Sequence, residues 1–176
     1  GKLMKAYYAK QDAEKLSGKG DTSQKLTLMK TSADSLKKSA DALNDSSLWE
    51  KKKIKKKDEK TGEEIEVEDY DWDKITKAVK SFVEDYNDVV KEAGESNTKD
   101  VLRNASWMTG MTDKNSNMLA QIGITIGKGN KLELDEDALK QADISSLKTV
   151  FTGYNSFVSK ISQKATGISN AANRAS

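Results

Sequence analysis

The sequence predicts a mainly α-helical fold, an antiparallel helical bundle with coiled-coil-like helices and two β-hairpins. Three observations point there. Proline is absent from all 176 residues, as expected where long helices use nearly every backbone donor. Apolar residues recur at steps of three and four through several stretches, the period that keeps them on one side of a helix. Two other stretches, near residues 51–69 and 123–135, alternate instead, which is the period of a strand.

Composition narrows the function classes. At this length, 35% apolar residues make one domain, 1–176, with a modest core. The 30 basic and 28 acidic side chains leave a net charge of +2, so a preference for nucleic acid or membrane must be local. Cysteine is absent, which removes disulfides and thiolate zinc sites. Histidine is absent too, and with it the commonest general base near neutral pH and the commonest nitrogen ligand for transition metals. No enzyme, metal or other cofactor is expected. A hydrolase built on carboxylates is the remaining catalytic option, but the acidic residues fall at caps and on solvated faces, and no motif pairs them. No apolar run approaches the ~20 residues that span a bilayer, so no membrane partner is expected. Gly1 reads as a cloning remnant, which leaves room for a native leader or further sequence ahead of it.

Residues 1–44 read as a helical hairpin. In its first helix, Leu3 to Leu16, Leu3, Ala6, Tyr7, Ala9, Ala13 and Leu16 share one side, and Gly18 and Gly20 end it. Asp21, Thr22 or Ser23 caps the second helix, where Leu26, Met29, Ala33, Leu36, Ala40 and Leu43 step three, four, three, four, three. Asn44 to Ser47 close it.

Residues 49–70 carry the sharpest shift in composition. Lys51 to Lys57 sets six lysines around Ile54, and Glu63, Glu64, Glu66, Glu68 and Asp69 follow around Ile65 and Val67. One reading is a patch for nucleic acid or an anionic surface. The other folds the chain back at Asp58 to Gly62, so that lysine and glutamate strands face each other as a charge-paired β-hairpin. The hairpin is preferred, because a phosphate-binding patch would not sit beside an equal acidic run. Ile54 then shares a face with Val67 or with Ile65, according to register.

Asp69, Asp71 and Asp73 alternate as in a calcium loop. Lys74 holds the place of the turn glycine and Lys80 that of the bidentate glutamate, so Asp71 or Asp73 reads instead as a helix cap. The helix that follows carries Trp72, Ile75, Val79, Phe82, Val83, Tyr86, Val89 and Val90 and ends near Gly94. Asn97 or Thr98 caps the next, with Val101, Leu102, Ala105, Met108, Met111, Met118, Leu119 and Ile122 apolar. Gly110 and the polar run from Thr112 to Asn117 predict a kink or break within it. Trp107, Met108 and Met111 form either a partner-binding spot or gap-filling core, the commoner use of methionine at this spacing. Asn104-Ala105-Ser106 fits a glycosylation sequon.

From Gly123 to Asp135 the period becomes alternating. Ile124 and Ile126 run out, Gly127 to Asn130 turn, and Leu132 and Leu134 return as the second hairpin, 123–134. Asp135 caps a short helix through Leu139. Ser145 or Ser146 then starts a helix whose stripe runs Leu147, Phe151, Tyr154, Val158, Ile161, Ala165, Ile168, Ala172 and Ala175. From Leu147 to Ala175 such a helix is about 43 Å long. Leu147, Phe151, Tyr154, Val158 and Ile161 are expected in the core together with Trp72, Val79, Phe82 and Tyr86. Past Gly167 the stripe thins, and Ile168, Ala172 and Ala175 are expected to fray or to meet an assembly partner.

The order of these parts resembles the C-terminal half of the flagellar filament cap protein family, the hook-associated protein 2 family. The segments are Lys74 to Glu92 (KITKAVKSFVEDYNDVVKE), Leu119 to Ile126 (LAQIGITI), Leu132 to Asp135 (LELD), Leu139 and Val150 to Gly153 (VFTG). Phe82, Val83, Tyr86, Asn87, Ile122, Gly123, Ile124, Leu132, Leu134, Asp135 and Phe151 sit at places matching that family, and the likeness covers roughly 72–168. Lys164-Ala165-Thr166-Gly167-Ile168 is similar to the start of the family's last coiled-coil helix. The resemblance implies a secreted structural protein of the bacterial flagellum, extracellular, that caps or polymerises on a filament as a homo-oligomer or against flagellin-like subunits. The residues by themselves imply protein–protein interaction through heptad-bearing helices, with apolar stripes supplying adhesion and charged faces choosing partner and register. The alternative function is a nucleic-acid or anionic-surface binder acting through Lys51 to Lys57.

Overall fold

Helices dominate the structure, and two short antiparallel hairpins are set between them. The computed structural model describes residues 2–6, 8, 9 and 20–176. Most of the expected first helix lies outside the described residues. The part that is described is helical and buries Leu3.

Helix α1 (Ser23–Leu43) begins at Thr22, whose hydroxyl accepts from the Lys25 amide at 3.1 Å. Its buried residues are Leu26, Met29, Ala33, Leu36, Ala40 and Leu43, the stripe that the spacing predicts. Asp21, freed from capping, reaches the loop after the next long helix and accepts from Ser96 Oγ and the Asn97 amide, both at 2.8 Å. A 3-10 turn (Ser46–Trp49) follows α1 and drives Trp49 inward. The Trp49 indole N–H donates to the Leu43 carbonyl at 2.7 Å, which satisfies a carbonyl that the helix end would leave orphaned.

Strands β1 (Lys52–Lys57) and β2 (Glu64–Asp69) pair antiparallel with Ile54 opposite Val67, Lys53 opposite Glu68, Lys55 opposite Glu66 and Lys57 opposite Glu64. None of their residues is buried. Opposite charges therefore face each other along the pairing, and Lys56 reaches Asp69 in an ion pair. Asp71 caps α2 (Trp72–Gly94), and α3 (Lys99–Lys114) runs on through Gly110 without interruption. The expected break falls at Asn115, within the polar run from Thr112 to Asn117 and ahead of the short α4 (Ser116–Gln121). Strands β3 (Ile124–Ile126) and β4 (Leu132–Leu134) pair antiparallel, and Asp135 caps α5 (Glu136–Gln141).

The expected single helix from Leu147 to Ala175 is two helices, α6 (Ile144–Phe151) and α7 (Phe157–Ala175). The first starts earlier than expected, because Asp143 accepts from the Ser145 amide and takes the cap. The break has one tertiary cause, a clamp from Asn44, and two local ones, a glycine and a serine cap. Gly153 adopts φ +104°, a region open mainly to glycine. Asn44 clamps that glycine with both ends of its side-chain amide, accepting from Gly153 N at 2.8 Å and donating to Gly153 O at 3.3 Å. Ser156 then caps α7 by accepting from the Ser159 amide. Steps of three and four continue across the gap, so periodicity alone does not reveal it. Serine and asparagine competing for the backbone decide the matter.

Helix α7 packs against α1 and α3, and its tail is interior. Ile168 is fully buried and Ala172 1% exposed, which corrects their expected place at an outer interface. Ala175 alone of the three stays exposed. Gly167, expected as a weak point, lies inside the helix and takes Asn104 over its bare face. A Cβ there would stand 2.3 Å from Asn104 Oδ1, so the small residue serves close approach of α3. Ser162 Oγ donates to Asp41 at 2.7 Å and Ser169 Oγ to Asp34 at 2.6 Å. Residue numbers rising along α7 thus meet numbers falling along α1, and the two helices are antiparallel.

Those two aspartates bear on acid stability. Hydrogen bonds from Lys30 and then Ser169 hold Asp34 below the usual carboxylate value of 3.8. At Asp41 burial pushes upward, but Lys37 and Ser162 outweigh it and the carboxyl is again lowered. A carboxylate lowered on folding stabilises fully above its unfolded value, and that stability is lost as pH falls through the folded one. The melting temperature is expected to hold from neutrality to about pH 5 and to decline below about pH 4. Melting curves of an Asp34→Asn, Asp41→Asn double variant should decline less steeply in that acid range. An unchanged slope would deny these carboxylates a part in the α1–α7 seam.

Candidate interaction surface

Asn87, Gly123, Leu132 and Asp135 meet through hydrogen bonds at the second hairpin. Asn87, on α2, donates to Leu132 O at 2.9 Å and accepts from Leu132 N at 2.7 Å. Its side-chain amide thereby acts as a neighbouring strand for β4, pairing both backbone groups that an edge would leave open. Tyr86 is fully buried with its hydroxyl 2.7 Å from Thr112 Oγ1. Thr112 spends its one proton on Met108 O at 3.0 Å, so Tyr86 is the donor in the pair. Burial pushes the Tyr86 phenol well above its ordinary value. It stays neutral and structural. Gly123 (φ +92°) accepts from Asp135 N at 2.8 Å, and Asp135 caps α5 through the Ala138 amide at 3.0 Å. Ile122 and Ile124 are fully buried.

The aromatic centre is built from the Trp49 turn, α2, α6 and α7. Phe151 stacks on Trp49, centroids 5.5 Å apart and planes 7° off parallel. Phe82 meets Phe151 and Phe157 edge-on at 6.5 and 6.3 Å. Leu147, Val158, Ile161 and Val79 are buried with them, whereas Trp72 sits half-buried at the rim, edge-on to Tyr70. Trp49, Asp21 and Asn44 are the structural residues the sequence reading missed. For Trp49 a signal existed: Leu48 and Trp49 are an apolar pair stranded in a polar stretch.

Tyr154 is the correction that matters for function. Expected in the core, it is 85% exposed, because the break after Phe151 swings it away from the stripe. The loop that presents it is tied at both sides. Asn44 grips Gly153, and Ser159 Oγ donates to the Tyr154 carbonyl at 2.7 Å. The ring is therefore a large apolar group held in water by a fixed backbone. Of the Trp107, Met108 and Met111 group, Met108 joins the core, Met111 is half-buried and Trp107 turns outward.

The lysine run offers less free charge than its sequence implies. Its strand residues face Glu64, Glu66, Glu68 and Asp69 across the hairpin, and Lys56 also pairs with Asp69. Asp69 further accepts from the Tyr70 amide, and Asp71 from the Lys74 amide, so both act on the backbone. Among the described residues no group of three or more acidic side chains is placed to hold a metal ion, and no helix is long and apolar enough to cross a membrane. Comparison with protein-family models, with curated proteins and with solved structures gives no match to this chain.

Proposed function

We propose that the protein is a structural subunit that works by packing against copies of itself, in the manner of a flagellar axial or filament-cap protein. The scaffold is an antiparallel helical bundle in which the stripes of α1 and α7 interlock like a coiled coil. Leu26, Met29, Ala33, Leu36, Ala40 and Leu43 on one helix and Ile161, Ala165, Ile168 and Ala172 on the other are buried in support of that packing. The resemblance of the ordered motifs across 72–168 supports a flagellar, extracellular setting with flagellin-like subunits as further partners.

One observation carries the reading: a tyrosine exposed over 85% of its surface on a loop secured from both sides. Holding a large aromatic ring in water forfeits the gain from burying it, and a fixed backbone lowers the entropy cost of docking it. Sedimentation over a range of concentrations is expected to show association of the wild-type chain and its loss in Tyr154→Ser. The melting temperature of the variant should stay within the small range of surface substitutions. A chain that stays monomeric at every concentration, or a variant that associates as well as wild type, would refute the proposal.

A further inference from the structure

A second surface, apart from the Tyr154 loop, lies between α3 and α7. There a groove of about 710 Å3 is floored by Gly110 and Met111, walled by Trp107 and rimmed by Lys114, Lys160 and Lys164. Trp107 is 53% exposed, and Lys164 Nζ stands 4.7 Å from its ring centroid. No carboxylate among the described residues lines the groove. Among the described residues none of its three lysines is in an ion pair, whereas Lys30, Lys37, Lys56 and Arg103 are. Lys164 turns its charge to the indole face, and with Lys114 and Lys160 it makes local positive charge beside Met111 in a chain of net charge +2.

We propose that this groove docks an acidic polypeptide segment carrying an apolar side chain. The lysines supply complementary charge for its carboxylates, and the flexible thioether of Met111 adapts to the side chain that enters. From Trp107 to Lys114 the groove extends two helical turns, about 10 Å, room for a short segment. A nucleic-acid strand fits less well. The Lys164 ammonium already occupies a face of the indole on which a base would stack, and the lysine run of β1, which would have to continue a phosphate track, faces its own glutamates.

The full chain contains its own reporter, since Trp49 is buried and Trp72 half-buried while Trp107 stands in water. Titration with a short peptide of Glu-Glu-Leu-Leu repeats is expected to shift tryptophan emission to the blue, with affinity that falls as salt rises. Oligoglutamate and oligothymidylate of equal length should bind about tenfold more weakly or worse, because neither fills the apolar floor. Gly110→Leu gives the structural control. No atom lies within 4 Å of a Cβ at Gly110, so the variant should fold and melt as wild type does while filling the groove and weakening the peptide about tenfold. Tyr154→Ser should bind the peptide unchanged, which separates this surface from the assembly contact. The proposal is overturned by absence of an emission shift, by equal binding of all three polyanions, by tightest binding of oligothymidylate, or by Gly110→Leu binding like wild type.

Discussion

Phe151→Ala is expected to cost about 3–5 kcal/mol. Phe151 is fully buried, lies flat on Trp49 and meets Phe82 edge-on. Removing the ring leaves a cavity among two aromatic groups that are themselves fixed. Trp49 is held by its hydrogen bond to the end of α1, and Phe82 by its place in α2. Neither can collapse freely into the space, which puts the cost near the top of the range for such truncations. Urea unfolding is the measurement: a lowered midpoint with an unchanged slope is expected, and stability equal to wild type would remove Phe151 from the core.

Gly123→Ala is the second. Gly123 sits at φ +92° between α4 and β3, and a Cβ there would lie 2.7 Å from Asp135 O and 3.0 Å from Leu139 N. Both obstacles are backbone, one in the Asp135 turn and one in α5, so neither can rotate aside. Backbone strain and overpacking together are expected to cost about 2–5 kcal/mol. Gly129→Ala separates the two effects. Gly129 also has positive φ, at +67°, but nothing lies within 4 Å of its Cβ position, so the substitution should cost only about 1 kcal/mol. Equal losses for the two variants in the same unfolding assay would mean that close packing at Gly123 contributes nothing.

These residues also mark how far the sequence is legible. Apolar spacing locates α1 and α2 and their buried faces, because a three-and-four stripe of large side chains has one sensible fate in water. The charge-paired hairpin is readable for the same kind of reason, since an isolated lysine strand and an isolated glutamate strand each repel themselves. Its register, Ile54 opposite Val67, depends on the turn and is not encoded by the alternation. The Phe151 to Phe157 break escapes periodicity altogether, because Val158 and Ile161 resume the stripe in phase. Its cause is a tertiary bond from Asn44 to Gly153, residues 109 positions apart, and single-stretch patterns do not carry such partnerships. The same holds for Asn87 and Leu132, 45 positions apart. The thinning of α7 past Gly167 misleads in a different way. Small residues mark close helix approach as readily as a weak end, and here Asn104 covers Gly167 within the domain. The exposure of Tyr154 is visible only once that break is known.

The central claim is that copies of this chain meet through the Tyr154 loop, and amide hydrogen exchange mapped along the chain at rising concentration tests it most directly. Residues 152–156 are expected to gain protection as concentration rises, while the charged hairpin at residues 52–69 exchanges as before. Protection at 152–156 that does not change with concentration, or that rises elsewhere and not there, would contradict it.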